Sequence, residues 1–475
     1  MKPLTLDSDR CFPVDERGRA IARALYRHID AYPIISPHGH TDPRWFAENT
    51  NFGNATDFLL VPDHYLLRML YSQGISLSDL GVSTRETQSA VSPRDAWRLF
   101  AQHYHLFRGT PCRLWLDHVF AEVFGLDVRL DDASADHYFD TINEALASDA
   151  YRPRAILDRF NVEFIATTEG ALDDLAYHDR IIRDGWGQRV VTTFRPDDVL
   201  DPDNPDFATN INTLGDLTGF NTSTWDGYLD ALRARREYFR QRGATATDHG
   251  HPTPRTADLD PAECQRLLDR CLNGQSSAAD NELFRAQMLT EMAGMSREDG
   301  MTMQLHPGVY RNHNNFILDR YGRDKGADIP LATEFVNALK PLLDRHGNDP
   351  DLRLILFTLD ESTYARELAP LAGHWPCLRL GPPWWFNDSA EGMIRFRRQA
   401  IESAGFYNTV GFNDDTRALL SIPARHDLAR RMDCRFLAEL VCEGRLDEDE
   451  AFELIDDLTV NLVRKAYKLS GASMA

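Results

Sequence analysis

A chain of 475 residues with 43% hydrophobic content can hold two or three average domains, or one large barrel carrying an insertion. Its formal net charge of -21 argues against extended nucleic-acid or anionic-membrane contacts, which need clustered Lys and Arg, yet a small anionic substrate remains possible if a few arginines line a pocket. No window of about 18 apolar residues occurs. The opening Met1-Lys2-Pro3-Leu4-Thr5-Leu6-Asp7 lacks the basic flank and apolar run of a secretory signal, so a cytoplasmic location is expected. The seven cysteines, Cys11, Cys112, Cys264, Cys271, Cys377, Cys434 and Cys442, are scattered and never in Cys-x-x-Cys spacing, and are read as reduced.

The first strand-like run, 34–37, breaks off into His38-Gly39-His40. Strand side chains alternate with period two, so both imidazoles fall on one side and can share one metal ion. Gly39 leaves the space between them empty. Two other His-x-His triplets occur, His103-Tyr104-His105 and His249-Gly250-His251, so context must separate them. Residues 42–159 are rich in aromatics and in helical spacing, best over 59–71, 93–107 and 114–124. His103 and His105 lie in one of these stretches, where a two-residue spacing points side chains apart, and are expected to be structural.

From about Asn161 the texture changes to apolar β-rich runs alternating with amphipathic helices. The runs are 162–167, 189–194, 244–247, 301–305, 352–357, 377–380 and 407–412; helical patterns cover 224–242, 283–295, 332–346, 362–371 and 392–404. With the opening run this makes eight strands. Such alternation implies a parallel sheet covered by helices, an α/β chain forming a (β/α)8 barrel with a helical insertion after its first strand. The expected organisation is an N-terminal segment with the first strand (1–41), a helical insertion or lid (42–159), the remaining barrel (160–423) and C-terminal helices (424–475), at 424–443 and 448–469. The Ser-Gly-Ala-Ser tail is expected to fray. A doubly wound open sheet is disfavoured because no Gly-x-Gly-x-x-Gly follows a strand.

Barrel chemistry sits beyond the carboxyl ends of the strands, and titratable groups collect there: His38 and His40, Thr167-Thr168-Glu169, Arg195-Pro196-Asp197, Asp248-His249, His306, Asp360-Glu361, Trp384-Trp385-Phe386-Asn387-Asp388 and Asp414-Asp415-Thr416-Arg417. In a closed barrel the last strand lies beside the first, so Asp415 can reach an ion held by His38 and His40. His249 is either an outer ligand, a substrate contact or a loop residue. Thr167, Thr168 and Glu169 read as pocket wall, and Asp360 and Glu361 as carboxylates opening a helix.

The chain resembles the uronate isomerases of the amidohydrolase superfamily. The resemblance rests on Ser36-Pro37-His38-Gly39-His40-Thr41-Asp42, Asp63-His64-Tyr65-Leu66-Leu67-Arg68-Met69, Leu114-Trp115-Leu116-Asp117-His118, Thr193-Phe194-Arg195-Pro196-Asp197, Gln304-Leu305-His306, Arg311-Asn312, Gly381-Pro382-Pro383-Trp384-Trp385-Phe386-Asn387-Asp388 and Asp415-Thr416-Arg417. It implies a distorted (β/α)8 barrel that interconverts D-glucuronate with D-fructuronate and D-galacturonate with D-tagaturonate. Two departures stand out: threonine at 416 where serine is more usual, and His313 interrupting an asparagine run. Neither removes a charge that the chemistry needs.

Moving a proton between C2 and C1 through an enediol requires a base, an acid and an electrophile. One divalent ion, with zinc the expected element, on His38, His40 and Asp415 can serve as the electrophile. Asp415 or a hydroxide on the metal are alternative bases, and Tyr65 can hand the proton across. Arg195 is the leading cation for the substrate carboxylate. Arg417 is expected to brace Asp415 or the enediolate. His64 and Arg68, four apart on a helix, are expected to face the substrate from the lid, with His306, His249 and Trp384 as further contacts. The competing reading is a mononuclear metal-dependent amide or ester hydrolase; the bridging lysine typical of two-metal relatives has no counterpart after strand four. A homo-oligomer is expected.

Overall fold

The computed structural model describes residues 2–469; the tail expected to fray lies outside them. Seven parallel strands form one curled sheet in the order β1 (Ile34–Ser36), β2 (Val162–Gly170), β3 (Val190–Arg195), β4 (Ala246–His249), β5 (Thr302–Leu305), β8 (Leu354–Leu356) and β9 (Leu378–Leu380). A two-stranded antiparallel ribbon, β6 (Val309–Tyr310) with β7 (Ile329–Pro330), stands apart and has no signal in the sequence beyond its two short ends. All seven cysteines are free.

The expected eighth strand at 407–412 is reduced to one parallel bridge, Leu380 to Thr409. The run opens as a 3-10 turn over Phe406–Asn408, straight after the preceding helix is capped, and a left-handed glycine follows. Gly405 has φ 68°, and Gly411, at φ 76°, sits where a Cβ would meet Val463 at 2.5 Å and the Leu458 carbonyl at 2.8 Å. The gap is closed further on by the His40 amide, which donates to the Thr416 carbonyl at 3.0 Å. The barrel is therefore distorted at its seam, and that seam faces the His-Gly-His loop.

Inward-facing Ile35, Phe164, Ala166, Val191, Ala246, Ile355 and Phe357 share one core with Val460, Val463, Ala466 and Tyr467 of the C-terminal helical segment. That segment covers the amino ends of the strands: Thr302, the first residue of β5, donates its hydroxyl to the Ala466 carbonyl at 2.7 Å. The opposite, carboxyl end is left free for the site.

Several helices differ from the periodicity reading for local reasons. The pattern over 59–71 is split at Pro62, and Asp63 caps a new helix (His64–Ser72) by accepting from the Tyr65 and Leu66 amides at 2.8 and 3.1 Å. The helix expected over 332–346 begins only at Lys340, because the Asp360 and Glu367 carboxylates take the Thr333 and Phe335 amides. A helix at Glu16–Ile29, overlooked in the sequence despite apolar residues at Ile21, Ala22, Leu25 and Ile29, packs on the long helix Ser421–Cys442.

Thr168 and Glu169 of β2 line the cleft at the carboxyl end of the sheet, and Thr167 and Glu169 also meet the buried His178. There Glu169 accepts hydrogen bonds from Thr167 and Thr192, but burial outweighs them and pushes its carboxyl up to about 8. The folded state thus keeps a proton that the unfolded chain releases at ordinary carboxylate pH. Its contribution is present below about 4.5 and is lost as pH rises through about 8. Urea midpoints measured across this window should fall more steeply for the wild type than for Glu169→Gln; parallel curves would contradict the assignment.

Candidate active site

The His-Gly-His loop after β1 and the 414–416 segment converge at the carboxyl end of the sheet. Asp415 Oδ1 lies 3.2 Å from His40 Nε2 and 3.6 Å from His38 Nε2. Asp415 holds φ 37°, a conformation unfavourable for a side-chain-bearing residue, and the adjacent Thr416–His40 hydrogen bond pins it there. Burial alone would raise the Asp415 carboxyl, but the His38 and His40 imidazoles prevail and hold it far below the ordinary carboxylate range. His38 is fully buried, and that burial lowers its imidazole to about 4 despite Asp248 and Asp415 nearby.

Below this triad, His306 Nδ1 meets Asp248 Oδ1 at 2.7 Å, and its ring stacks between His38 (4.9 Å) and Phe357 (4.0 Å). The other nitrogen, His306 Nε2, is buried without a partner. Ligand atoms of His38, His306 and Asp415 lie within 4.8 Å of one another, as do those of His38, His40 and Asp248. Imidazole nitrogens gathered around an ionised carboxylate, one of them buried and without a partner, fit a divalent cation.

These groups floor a cleft of about 700 Å³. One wall comes from the first turn of the helix His64–Ser72, where the His64 and Tyr65 rings stack at 4.6 Å. Burial, reinforced by the Arg417 charge, depresses His64 to about 3, and burial pushes the Tyr65 phenol far above its usual range. Trp384 and Trp385 form the facing wall, with Trp384 edge-on to His306 at 4.8 Å and Trp385 tilted on His64 at 5.2 Å.

Three predicted contacts are placed differently. His249 does not line the cleft: on β4 its neighbour Asp248 points inward, and period two turns His249 outward, with Nε2 on the Thr247 hydroxyl at 3.1 Å. Arg68, one turn beyond His64, lies outside the lining residues and covers the Phe386 ring at 4.4 Å. Arg195 lines the cleft, but its Nε is held by Asp197 at 2.8 Å and its Nη1 by Asp248 at 2.9 Å. Two of the three guanidinium nitrogens are thus committed to protein carboxylates, and Nη2 has no partner among the described residues.

Asp248 and Asp388, placed at strand ends by the sequence but given no role there, turn out to be central: Asp248 joins Arg195 to His306, and Asp388 pairs with the unforeseen Arg425, whose guanidinium also stacks on Trp115 at 3.7 Å. Alternation on β4 was the available signal for Asp248. At the rim, Arg417 pairs with Asp324 at 3.2 Å with both side chains substantially exposed, and Arg323 has no ion pair among the described residues. No lysine lines the cleft. His103 is structural as expected, with Nδ1 on the Leu99 carbonyl at 2.8 Å.

A family model described as glucuronate isomerase matches residues 16–467. The chain belongs to the glucuronate isomerase family. It is 62% identical to a uronate isomerase of Xanthomonas axonopodis pv. citri over 467 residues, covering 98% of this chain and 99% of the relative. A uronate isomerase of Rhizorhabdus wittichii is also 62% identical over the same coverage. Among solved structures, glucuronate isomerase from Caulobacter crescentus superposes with a TM-score of 0.97 at 57% identity, over 100% of this chain and 99% of that one. A metal-dependent hydrolase from Lactobacillus casei, described as putative, shares only the fold, with a TM-score of 0.53 at 13% identity. Membership of this family makes the chain an aldose–ketose isomerase built on an amidohydrolase-like barrel.

For a glucuronate isomerase with this triad, Asp415→Asn removes the charge that His38 and His40 face while preserving shape. Affinity for a divalent ion, measured by competition with a chromophoric chelator, should fall at least about 10-fold, the effect typical of disturbing groups around a metal. Unchanged affinity would remove Asp415 from the ligand set.

Proposed function

We propose that the chain interconverts D-glucuronate with D-fructuronate, and D-galacturonate with D-tagaturonate, by carrying a proton between C2 and C1. The observation that carries this reading is the ionised Asp415, fixed 3.2 Å from His40 in a cleft that also presents the Tyr65 phenol. Asp415 Oδ1 faces the two imidazoles, while Oδ2 accepts no hydrogen bond among the described residues. Oδ2 is the atom that takes the C2 proton and returns it to C1. Tyr65 stays protonated, since burial makes its phenolate unfavourable. It gives its proton to O1 as it receives that of O2, so the substrate passes through an enediolate, protonated on O1 and charged on O2, without a free phenolate, and the proton held by Asp415 then goes to C1 to leave the C2 ketone.

His38, His40 and Asp415 would hold one divalent cation, zinc being the expected element, and when bound it would supply an electrophile for the developing oxyanion. His306, oriented by Asp248, hydrogen-bonds a substrate hydroxyl through its orphaned Nε2. His64, kept neutral by burial, does the same from the lid formed by 42–159. Trp384 offers an apolar face to the sugar backbone. Arg195 braces Asp248 rather than clamping substrate, and the substrate carboxylate is met at the rim by Arg417, which pivots from its exposed pair with Asp324. No helix among the described residues is long and apolar enough to cross a membrane. A cytoplasmic location and a homo-oligomeric assembly belong to the same proposal.

Turnover of glucuronate in heavy water should give fructuronate carrying deuterium at C1, read by NMR. Product free of label would point to hydride migration or a shielded proton. Asp415→Asn should lower kcat by roughly 10²–10⁴-fold, the range for a general base. Arg417→Met should act mainly through KM, whereas an effect confined to kcat would assign Arg417 to the enediolate instead.

A further inference from the structure

The second His-Gly-His triplet is not absorbed by the isomerase cleft chemistry, although the fold buries it. His249 is fully buried and His251 is 4% exposed. Neither ring nitrogen of His251 has a partner, and Nδ1 of His249 has none either. Three buried imidazole nitrogens without partners in one triplet are costly unless something binds them. The third member of the group is Asp197, whose Oδ1 lies 4.0 Å from His251 Nε2. Asp197, His249 and His251 offer ligand atoms that all lie within 4.8 Å of one another.

The surroundings favour a cation. His249 Nε2 is set against the Thr247 hydroxyl at 3.1 Å, which orients the ring and leaves Nδ1 as the nitrogen without a partner. Burial disfavours the charged form of both imidazoles. Asp201, Asp203 and Glu282 surround Arg285 on the outer side, and Asp197 and Asp248 surround Arg195 on the inner side. Five carboxylates against two guanidiniums leave the region net negative. Gly250 is required between the histidines, since a Cβ there would lie 2.1 Å from Arg195 Nη2. His251 and Asp197 border the cleft, which gives an ion a path from solvent.

We propose that Asp197, His249 and His251 form a second divalent-metal site of the two-imidazole, one-carboxylate class, with zinc as the matching ion. The site is separate from the His38–His40–Asp415 centre but wired to it. Asp197 holds Arg195 Nε, Arg195 Nη1 holds Asp248, and Asp248 orients His306. An ion on Asp197 would draw off part of its charge and leave Arg195 more firmly committed to Asp248.

The test uses the full chain, stripped with a chelator, saturated with Zn²⁺ alone, desalted and assayed for bound metal. The wild type should hold two equivalents per chain. His38→Asn combined with His40→Asn should retain one, and His249→Asn combined with His251→Asn should likewise retain one. A wild type that saturates at one equivalent, lost in the His38/His40 variant, overturns the proposal. So does a second equivalent that survives in the His249/His251 variant, because the ion then sits elsewhere. The wild-type count does not depend on how any variant folds, and the isomerase reading stands or falls separately on the isotope experiment.

Discussion

Everything in the site depends on the chain returning, after the distorted eighth unit, to touch the loop that follows the first strand. The contact is small: the His40 amide on the Thr416 carbonyl at 3.0 Å, with Asp415 forced into a left-handed conformation beside it. Without it, a carboxylate and two imidazoles separated by some 375 residues of sequence would have no reason to share one volume. The 3-10 turn at Phe406–Asn408 and the left-handed Gly411, which stand where the eighth strand is expected, are part of the same arrangement. They free the segment from regular pairing and let it bring Asp415 across the seam.

The cleft is an electrostatic mosaic in which buried charges are committed to one another. Asp248 binds Arg195 and His306, and Arg425 binds Asp388. Such pairs add little net stability, because desolvation offsets most of their attraction, but they fix geometry. The guanidiniums that remain available are those at the rim, Arg417 and Arg323, where water screens them and a partner can be exchanged. An anionic substrate can therefore be recognised by a chain with a net charge of -21.

How much was legible in the sequence divides along physical lines. The expectation that His38, His40 and Asp415 meet agrees with the geometry, although β1 ends at Ser36 and a loop contact, His40 to Thr416, does what strand pairing was expected to do. Period-two alternation, applied to β4, would have chosen Asp248 over His249, since one of two adjacent residues must point inward. Ion pairs were not legible: nothing in Arg195-Pro196-Asp197 says that the aspartate turns back onto its own arginine and that Asp248 takes the other edge. Helix boundaries failed where side chains intervened, as with Asp63 capping a fresh helix after Pro62. The cap was written in the sequence, and it is what aims His64 and Tyr65 into the cleft.

The central claim is that His38, His40 and Asp415 share one ion at the seam of the barrel. Anomalous diffraction from crystals of the active, metal-loaded protein, recorded on either side of the metal absorption edge, tests it most directly. A peak is expected between Nε2 of both histidines and a carboxylate oxygen of Asp415. An active, metal-loaded protein with no peak among those three side chains would contradict it.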